Sequence, residues 1–358
     1  MSARVEKVIL TLQINRKSII LAHPIVSVIM ANYNGAQFIE AALRSVMAQS
    51  ISQIEIVLAD DASIDASVAI AHRVAAKDKR LKIVVAGTNK GPAVARNRAL
   101  ELATGEWIAI VDSDDIVHPQ RFERMLEAAQ NLQTDAIADD LTYLVDNTVR
   151  PGRTLLGTSR PTTPQQLTAK SFVLAAQDAP QLGYLKPMFR RAGLKGLRYR
   201  EDIRIGEDHD FYMRFLLDGG TLHLLPESYY LYRRHACSIS HRLHPDDVRA
   251  IIAVQDDLLT QYADLPADFR ADLTARRAAL QEPLAFETLV QNLKNRRFGH
   301  ALMDVFRKPK LLWKLGHVAR KHLARRLKPP RKPPLSLPRD PDTWTPQDWA
   351  VLSASRTS

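Results

Sequence analysis

The sequence predicts an α/β protein whose mainly parallel sheet is flanked by helices and followed by a C-terminal helical extension. Over the first third of the chain, short apolar runs rich in β-branched residues alternate with helical patterns of roughly 10–15 residues. Such alternation builds crossover units and therefore parallel strands. Polar clusters follow three of the apolar runs, and sheets of this kind bind ligands beyond the carboxyl ends of their strands.

Local signals separate the predicted elements. Asp65 is placed to cap the helix after the second strand, and Pro92 suits the first turn of the helix after the third. Thr104 and Gly105 end that helix, and five apolar residues beginning at Trp107 predict a buried strand. The predicted order is strand 24–31, helix 38–49, strand 54–59, helix 66–76, strand 81–86, helix 92–103 and strand 107–111.

The fourth strand ends in three carboxylates within residues 112–115. Side chains alternate along a strand, so Asp112 and Asp114 point the same way if the strand continues to its end. Two carboxylates on one side repel each other and favour a cation between them, and hard oxygen ligands suit Mg²⁺ or Mn²⁺. The alternative is a solvated Asp-rich turn that caps a helix starting near Pro119.

Three polar clusters, at residues 32–34, 60–61 and 112–115, follow strand ends that a parallel sheet brings to one edge. Their coincidence predicts a binding crevice, although turn residues also favour Asp and Asn at any single strand end. The first loop has no Gly-x-Gly-x-x-Gly, and the chain has no Gly-Lys-Ser/Thr phosphate loop. A nucleotide diphosphate bound here therefore needs a metal and side chains to hold it.

Charge and composition exclude several classes of protein. The net charge is +11, but residues 291–334 contain 14 Lys or Arg against one acid, Asp304. The rest of the chain is close to neutral, which argues against a nucleic-acid-binding core. The single cysteine, Cys237, excludes an intramolecular disulfide. No apolar run approaches 18 residues, and the first 22 residues make a poor signal peptide.

Taken in order, these motifs resemble family 2 glycosyltransferases, which are inverting, nucleotide-sugar-dependent enzymes with the GT-A fold. The resemblance spans about residues 24–240 and is most similar to bacterial exopolysaccharide enzymes of the succinoglycan glucosyltransferase kind. The family usually has Gly where this chain has Ala62. The matching segments are 26–34 (VSVIMANYN), 60–65 (DDASID), 89–91 (NKG) with 95–97 (ARN), and 112–115 (DSDD) with Pro119.

For the donor, the resemblance implies a UDP-sugar with Mg²⁺ or Mn²⁺ as cofactor. Asn32 and Tyr33 would line the base and ribose pocket, and Asp61 would accept a hydrogen bond from uracil. Asp112 and Asp114 would hold the metal on the diphosphate, with Asp114 as the direct ligand. Three further donor-binding residues are implied: Arg96 near the nucleotide or its phosphates, and Arg234 with His235 as a lid over the diphosphate. For His235, a plain surface position without a role in binding is an equally good interpretation.

For the acceptor, residues 205–214 (IGEDHDFYMR) are similar to the family's Glu-Asp motif at the start of a helix. Asp208 would be the general base, because a sugar hydroxyl needs a carboxylate to take its proton as the new bond forms. Glu207 and Asp208 have an alternative role in complementing the helix dipole. Glu201 and Asp202 form a second Glu-Asp pair nearby. Asp208 is preferred as the base because apolar residues at helical spacing follow it directly.

The basic segment at 310–328 predicts an amphipathic helix. Such a helix, with Trp313 nearby, favours contact with an anionic membrane surface, and the alternative is a helix packed on the catalytic domain. Residues 248–280 predict helix between that domain and this segment. The expected apolar face contains Leu312, Leu315, Ala319, Leu323 and Leu327, and the basic face contains Lys310, Lys314, His317, Lys321, Arg325 and Lys328.

The resulting hypothesis is an inverting, metal-dependent glycosyltransferase in exopolysaccharide or other cell-surface polysaccharide biosynthesis. It would move a hexose, with glucose expected, from a UDP-sugar to a lipid-linked oligosaccharide, in the cytoplasm at the inner face of the cytoplasmic membrane. Processive relatives carry Gln-x-x-Arg-Trp and transmembrane helices, which are absent here, so one sugar per encounter is expected. No nucleic-acid partner is expected.

Two alternatives remain beside this hypothesis. One is a sugar nucleotidyltransferase, although residues 32–35 lack that class's glycine-rich phosphate loop with a basic residue. The other is a non-catalytic nucleotide-sugar-binding scaffold at the membrane. The predicted organisation is an N-terminal extension (1–23), a catalytic domain (24–240, divided into a nucleotide-sugar half, 24–140, and an acceptor half, 141–240), a helical extension (241–328) and a Pro-rich linker and tail (329–358).

Overall fold

The computed structural model describes residues 23–145, 148–173, 180–235, 244–327 and 335–336. The predicted N-terminal extension, apart from His23, lies outside the described residues, as do Cys237, Lys328 and most of the predicted tail. Within the described part, each strand and helix expected between residues 24 and 111 is present, with ends that shift by a few residues. The alternation of apolar runs and helical patterns therefore identified the elements correctly.

The elements are labelled here in chain order. The strands are β1 (Val26–Asn32), β2 (Ile54–Asp60), β3 (Leu81–Val85), β4 (Trp107–Ile110), β5 (Ile116–Val117), β6 (Ala136–Val145), β7 (Thr148–Thr154), β8 (Gln165–Leu167), β9 (Met188–Arg190), β10 (Leu222–Arg234) and β11 (Leu335–Ser336). The α-helices are α1 (Ile39–Met47), α2 (Ser67–Ala75), α3 (Pro92–Leu102), α4 (Arg121–Leu132), α5 (Ala169–Val173), α6 (Glu207–Leu217), α7 (Pro245–Gln261), α8 (Ala267–Ala279), α9 (Gln281–Lys294), α10 (Phe298–Arg307) and α11 (Lys310–Leu327).

One mixed, mostly parallel sheet with flanking helices organises the fold, as predicted. Its order is β11-β7-β6-β9-β4-β1-β2-β3, and β4, β1, β2 and β3 run parallel. The antiparallel strands belong to the second half, where β9 joins β4 to β6. Since β1 lies between β2 and β4, the carboxyl ends of these three strands open at the same edge of the sheet.

Helices cover both faces of the parallel strands, which explains why these strands are apolar along their whole length. Ile29 and Val57 face a core shared with α3 and α6. Val28 and Ile56 face a second core shared with α1, α2 and α4. With both faces covered, the strands form a rigid support for the loops at their carboxyl ends.

Strand β10 connects the two halves of the sheet. It runs parallel to β6, with an irregularity between Leu225 and Tyr230, and antiparallel to the short strand β5. Tyr230 and Leu231 pair with Val117 and Ile116, directly after the Asp-rich segment. The end of β10 is thereby fixed beside residues 112–115.

The C-terminal helices differ from expectation in one respect. The helix predicted over 248–280 is two helices, α7 and α8, separated at residues 262–266. Pro266 is the N-cap of α8, and a proline restricts the residue before it and donates no backbone hydrogen bond, so one continuous helix is disfavoured there. Among the described residues, no helix combines the length and apolarity needed to cross a bilayer.

Helix α11 confirms that residues 310–327 are helical, but its packing face is shifted from the prediction. Leu311 is buried against α9 and α10, whereas Leu312 is exposed. Lys314, expected on the basic outer face, donates to Glu282 at 2.8 Å and lies over the ring of Phe286. Helical spacing cannot show which of two adjacent leucines meets a neighbouring helix. Residues 335–336, within the predicted tail, add β11 to the sheet edge beside β7.

Candidate active site

The loops after β1 and β2 are joined by a polar network around Asp60. Asn32 donates from Nδ2 to Asp60 Oδ2 at 2.7 Å, and the Ser63 hydroxyl donates to the same oxygen at 2.7 Å. Asn32 Oδ1 is buried and accepts no hydrogen bond from the described residues, while the side chain of Tyr33 is exposed. Asn32 and Tyr33 therefore lie at the edge of the sheet where a base and ribose pocket was predicted.

Asp61, the predicted uracil acceptor, anchors the loop before α3. Its carboxylate accepts hydrogen bonds from the backbone N–H of Lys90 at 2.9 Å and of Gly91 at 2.6 Å. The next residue, Ala62, has a φ of 64°, a left-handed conformation that favours glycine. This conformation explains why a glycine is usual at that position in the resembling family.

The three carboxylates after β4 come together through a turn, and not through strand alternation as predicted. Strand β4 ends at Ile110, and the Asp115 N–H donates to the Asp112 carbonyl at 3.2 Å. One carboxylate oxygen from each of Asp112, Asp114 and Asp115 lies within 4.8 Å of the others. The turn therefore achieves the proximity that alternation was expected to supply, and it includes Asp115 as well.

Asp112 and Asp115 have opposite electrostatic environments. Burial opposes the ionisation of Asp112, but Lys186 at 2.8 Å and Arg96 at 2.9 Å hold its pKa below the usual range. Burial, followed by repulsion from Asp114, raises the pKa of Asp115 well above its usual range. Asp115 accepts from the Tyr230 hydroxyl and the Arg233 N–H, each at 2.7 Å. Asp115 is therefore a structural member of the turn.

Asp114 is the most exposed of the three, with its side chain 30% accessible, and His235 Nε2 lies 2.8 Å from its Oδ2. Carboxylate oxygens in this arrangement are the ligands that Mg²⁺ and Mn²⁺ prefer. Asp114 is accessible as a direct ligand must be, and Asp112 supplies a second anionic group within 4.8 Å. The residues thus fit a divalent cation at the predicted pair.

A buried charge cluster connects this turn to α6; it consists of Arg96, Asp112, Lys186, Glu207 and Asp208. Lys186 is 3% exposed and lies 2.8 Å from both Asp112 Oδ2 and Asp208 Oδ2. Arg96 donates to Glu207 Oε1 at 2.6 Å and to Asp112 Oδ1 at 2.9 Å. The predicted base and Asp112 of the predicted metal-binding pair are thereby held by the same two cations.

Within this cluster, Asp208 keeps one oxygen available. Asp208 Oδ1 is buried without a hydrogen-bond partner among the described residues, and Arg96 Nη1 lies 3.6 Å from it. Burial, opposed by Arg96 and aided by Asp208, raises the pKa of the neighbouring Glu207. Asp208 therefore has the unsatisfied acceptor, whereas Glu207 is committed to its bond with Arg96.

The end of β10 places alternate side chains on opposite sides of the strand. Arg233 donates from Nε to the Asp114 carbonyl at 2.7 Å, and the ring of His235 packs on Phe38. Arg234, predicted to share a lid with His235, lies over the ring of Tyr143 at 4.1 Å and lines a separate cavity of about 400 Å³. Arg233, which the sequence analysis did not single out, is the arginine beside the Asp-rich turn.

Comparison with known proteins decides the family. The glycosyl transferase family 2 model matches residues 27–193. The succinoglycan biosynthesis protein ExoO of Rhizobium meliloti is 33% identical over 293 residues, which cover 80% of this chain and 82% of ExoO. The chain belongs to glycosyl transferase family 2. ExoU of the same organism is 31% identical over 61% of this chain and 63% of its own length.

Solved structures support a family 2 fold of the GT-A type. Staphylococcus aureus TarS 1–349, solved with UDP-GlcNAc, covers 71% of this glycosyltransferase and 72% of its own chain, at 23% identity and a TM-score of 0.57. The mannosyltransferase PcManGT of Pyrobaculum calidifontis, solved with GDP-Man and Mn²⁺, covers 82% of this chain and 84% of its own, at 19% identity and a TM-score of 0.52. At these identities the likeness establishes the fold.

Lys186 is a second site residue of this family 2 enzyme, beside Arg233, that was not predicted from the sequence. Its backbone is fixed by buried groups, since Arg121 donates to the Lys186 carbonyl and Tyr212 donates to the Leu185 carbonyl. No motif marks it, because a single lysine before a short strand has many possible partners. The one local signal is a lysine within the otherwise largely apolar segment 182–189.

Proposed function

We propose that this glycosyltransferase moves a hexose from a UDP-sugar to a hydroxyl of a lipid-linked oligosaccharide, with inversion and one sugar per encounter. Glucose is the expected sugar, and exopolysaccharide biosynthesis is the expected process. The similarity to ExoO over most of both chains supports the process, and the UDP-GlcNAc complex of TarS supports a UDP-linked donor. We place the enzyme in the cytoplasm, at the inner face of the cytoplasmic membrane where such an acceptor would be anchored.

One observation carries this proposal: the buried Oδ1 of Asp208 accepts no hydrogen bond from the described residues, and Arg96 Nη1 lies 3.6 Å from it. The other oxygen of the same carboxylate is fixed by Lys186, which also contacts Asp112. A carboxylate oriented in this way and lacking one hydrogen bond is suited to accept the proton of a sugar hydroxyl. Lys186, 2.8 Å from Asp208 Oδ2, fixes the direction of the carboxylate, and the acceptor hydroxyl would supply the missing hydrogen bond.

The donor side of the proposal uses the Asp-rich turn. Asp114, with Asp112 behind it, would hold Mg²⁺ or Mn²⁺ on the diphosphate. When bound, the metal neutralises charge that develops on the leaving diphosphate. His235 contacts Asp114 from one side and Phe38 from the other, so it orients the carboxylate that faces the cleft. Asn32, Tyr33 and Asp61 are assigned to the base and ribose, as the family resemblance implies.

Replacing Asp208 tests this proposal. We expect Asp208→Asn to lower kcat by about 10²–10⁴-fold while UDP binding is retained, because the amide cannot accept the hydroxyl proton but has the same size. The measurement is UDP release from a panel of UDP-hexoses with a lipid-linked oligosaccharide acceptor, together with the anomeric configuration of the product. Asp202→Asn is the matched control, since Asp202 is an exposed acid paired with Arg200.

The same experiment distinguishes the proposed enzyme from the alternative of a non-catalytic scaffold. A non-catalytic nucleotide-sugar-binding scaffold would bind UDP but release none from any donor, and its Asp208→Asn variant would behave like the parent. Product with retained anomeric configuration would overturn inversion. A kcat unchanged in Asp208→Asn, alongside an active parent, would remove Asp208 as the base. Membership of family 2 already argues against a sugar nucleotidyltransferase.

A further inference from the structure

The exposed hydrophobic side chains of the chain are concentrated at its C-terminal helices. Ten large hydrophobic side chains are exposed among the described residues, and six of them lie between residues 298 and 313. We call these six the docking face. Its members on α10 are between 52% and 83% exposed and recur at helical spacing. The docking face consists of Phe298, Leu302, Met303 and Phe306 on α10, and Leu312 and Trp313 on α11.

The outward direction of this face is fixed by packing on the opposite side of the helix. Ala301 is buried, and Val305 packs with it against Leu289 of α9. Asp304 accepts a hydrogen bond from Asn292 of α9 at 2.8 Å. Because the inner side of α10 is already in contact with α9, its apolar outer side is a surface of the folded molecule.

Helix α11 extends the same surface. Leu311 is buried in the cluster formed by α9 and α10, which leaves Leu312 and Trp313 exposed at the first turn of α11. Lys314 is held by Glu282. Six large exposed hydrophobic side chains within sixteen residues are a concentration that marks an interaction site.

The rim of the docking face is cationic. Residues 291–334 contain a single acid, Asp304, and it is half-buried toward α9. A second copy seated on this face would bring like charges together, whereas an anionic bilayer offers both complementary charge and an apolar layer. The exposed basic residues of the rim are Lys294, Arg296, Arg297, Arg307, Lys308 and Lys310.

We propose that the docking face inserts into the headgroup and acyl boundary of an anionic bilayer, with the basic rim on the lipid headgroups. This deepens the proposed function and rests on it, since a lipid-linked acceptor gives the contact its purpose. The proposed membrane contact differs in position from the one predicted from the sequence, which was the amphipathic segment 310–328. The principal element is α10, which the sequence analysis did not single out, and α11 contributes its first turn.

The test is co-sedimentation of the full chain with vesicles of phosphatidylcholine alone or mixed with phosphatidylglycerol. We expect binding to the mixed vesicles to be at least tenfold tighter, and the double variant Leu302→Gln with Phe306→Gln to lose at least tenfold. The matched control is Ile64→Gln with Leu102→Gln, because both residues are exposed hydrophobics in the catalytic domain. The control is expected to bind like the parent.

Three outcomes would overturn the proposal. The first is vesicle binding that the double variant leaves unchanged. The second is a parent that ignores vesicles but is dimeric, with the dimer lost in the double variant, since a second copy then covers the face. The third is vesicle binding that appears only after residues 337–358 are removed, because the chain's own tail then occupies it. UDP release without vesicles is measured in the same samples, so failure of the proposed activity is distinguishable from failure of the docking face.

Discussion

At the scale of single residues, Lys186 controls how the carboxylates of the site share charge. It lies 2.8 Å from both Asp112 and Asp208, and it lowers the pKa of Asp112, which burial alone would raise. Arg96 adds a second cation on the far side of Asp112. One buried ammonium group therefore connects the proposed base to the Asp-rich turn.

Lys186→Met tests this role through the pH dependence of turnover. Without the ammonium group the pKa of Asp112 is expected to rise, because burial raises it and Lys186 is the main charge that lowers it. The acidic limb of kcat/KM against pH then moves to higher pH, and activity recovers as the pH is raised. Lys170→Met, which removes an exposed lysine paired with Asp268, serves as the control. A folded Lys186→Met variant with an unmoved acidic limb would contradict the role.

The sequence was informative about those site residues that belong to motifs. The order of the strands placed Asp112 and Asp114 at the carboxyl edge of the sheet, and the family resemblance assigned Asp208 to the same site. The sequence did not place Lys186 or Arg233, because each acts through a contact between distant segments that no spacing reveals. It also paired Arg234 with His235, which the alternation of β10 separates.

At the scale of elements, the strand ends depend on how neighbouring segments are tied together. Glu55, on β2, connects three of them. It accepts hydrogen bonds from Ser27 of β1, from Thr104 between α3 and β4, and from Lys82 of β3. Burial opposes ionisation of Glu55, but these donors, led by Lys82, lower its pKa to about 2.

Glu55→Gln tests this connection through the pH dependence of stability. A carboxyl whose folded pKa lies below its unfolded value of 4.5 stabilises the protein above pH 4.5, and the effect is lost as the pH falls toward 2. We expect Glu55→Gln to lower the free energy of unfolding by about 3 kcal/mol at pH 7 and by about 2 kcal/mol at pH 3.5. Urea unfolding at both pH values measures this.

Glu101→Gln is the control for that experiment, because Glu101 forms an exposed pair with Arg198 and is expected to change stability by less than about 1 kcal/mol. A loss in Glu55→Gln that is the same at pH 7 and pH 3.5 would show that the charge of Glu55 is not what connects the strands.

The sequence predicted the existence of the elements better than their ends. Short continuous apolar runs located every strand up to β4, because strands that are covered on both faces are apolar along their whole length. It did not show that β4 stops at Ile110 and turns, or that α7 and α8 are separate helices. Both features depend on tertiary contacts and on a single proline, which periodicity does not record.

At the scale of the whole molecule, the parallel half of the sheet presents the residues assigned to the donor, and the second half brings the proposed base to them. Lys186 precedes β9, and Asp208 lies at the start of α6. Strand β10 then returns Tyr230 and Arg233 to the Asp-rich turn. The two halves therefore meet at the charge cluster, and the C-terminal helices carry the docking face as a separate surface.

The central claim is a UDP site completed by a divalent cation on Asp114. Thermal unfolding with UDP, with and without Mn²⁺, tests it in the parent, in Asp114→Ala and in the control Asp268→Ala. At 100 times its Kd, UDP should stabilise the parent by about 2.7 kcal/mol, which raises Tm. We predict this rise only when Mn²⁺ is present, its loss in Asp114→Ala or with EDTA, and its retention in the control. An equal rise without metal, or in Asp114→Ala, would contradict the account, as would no rise in any condition.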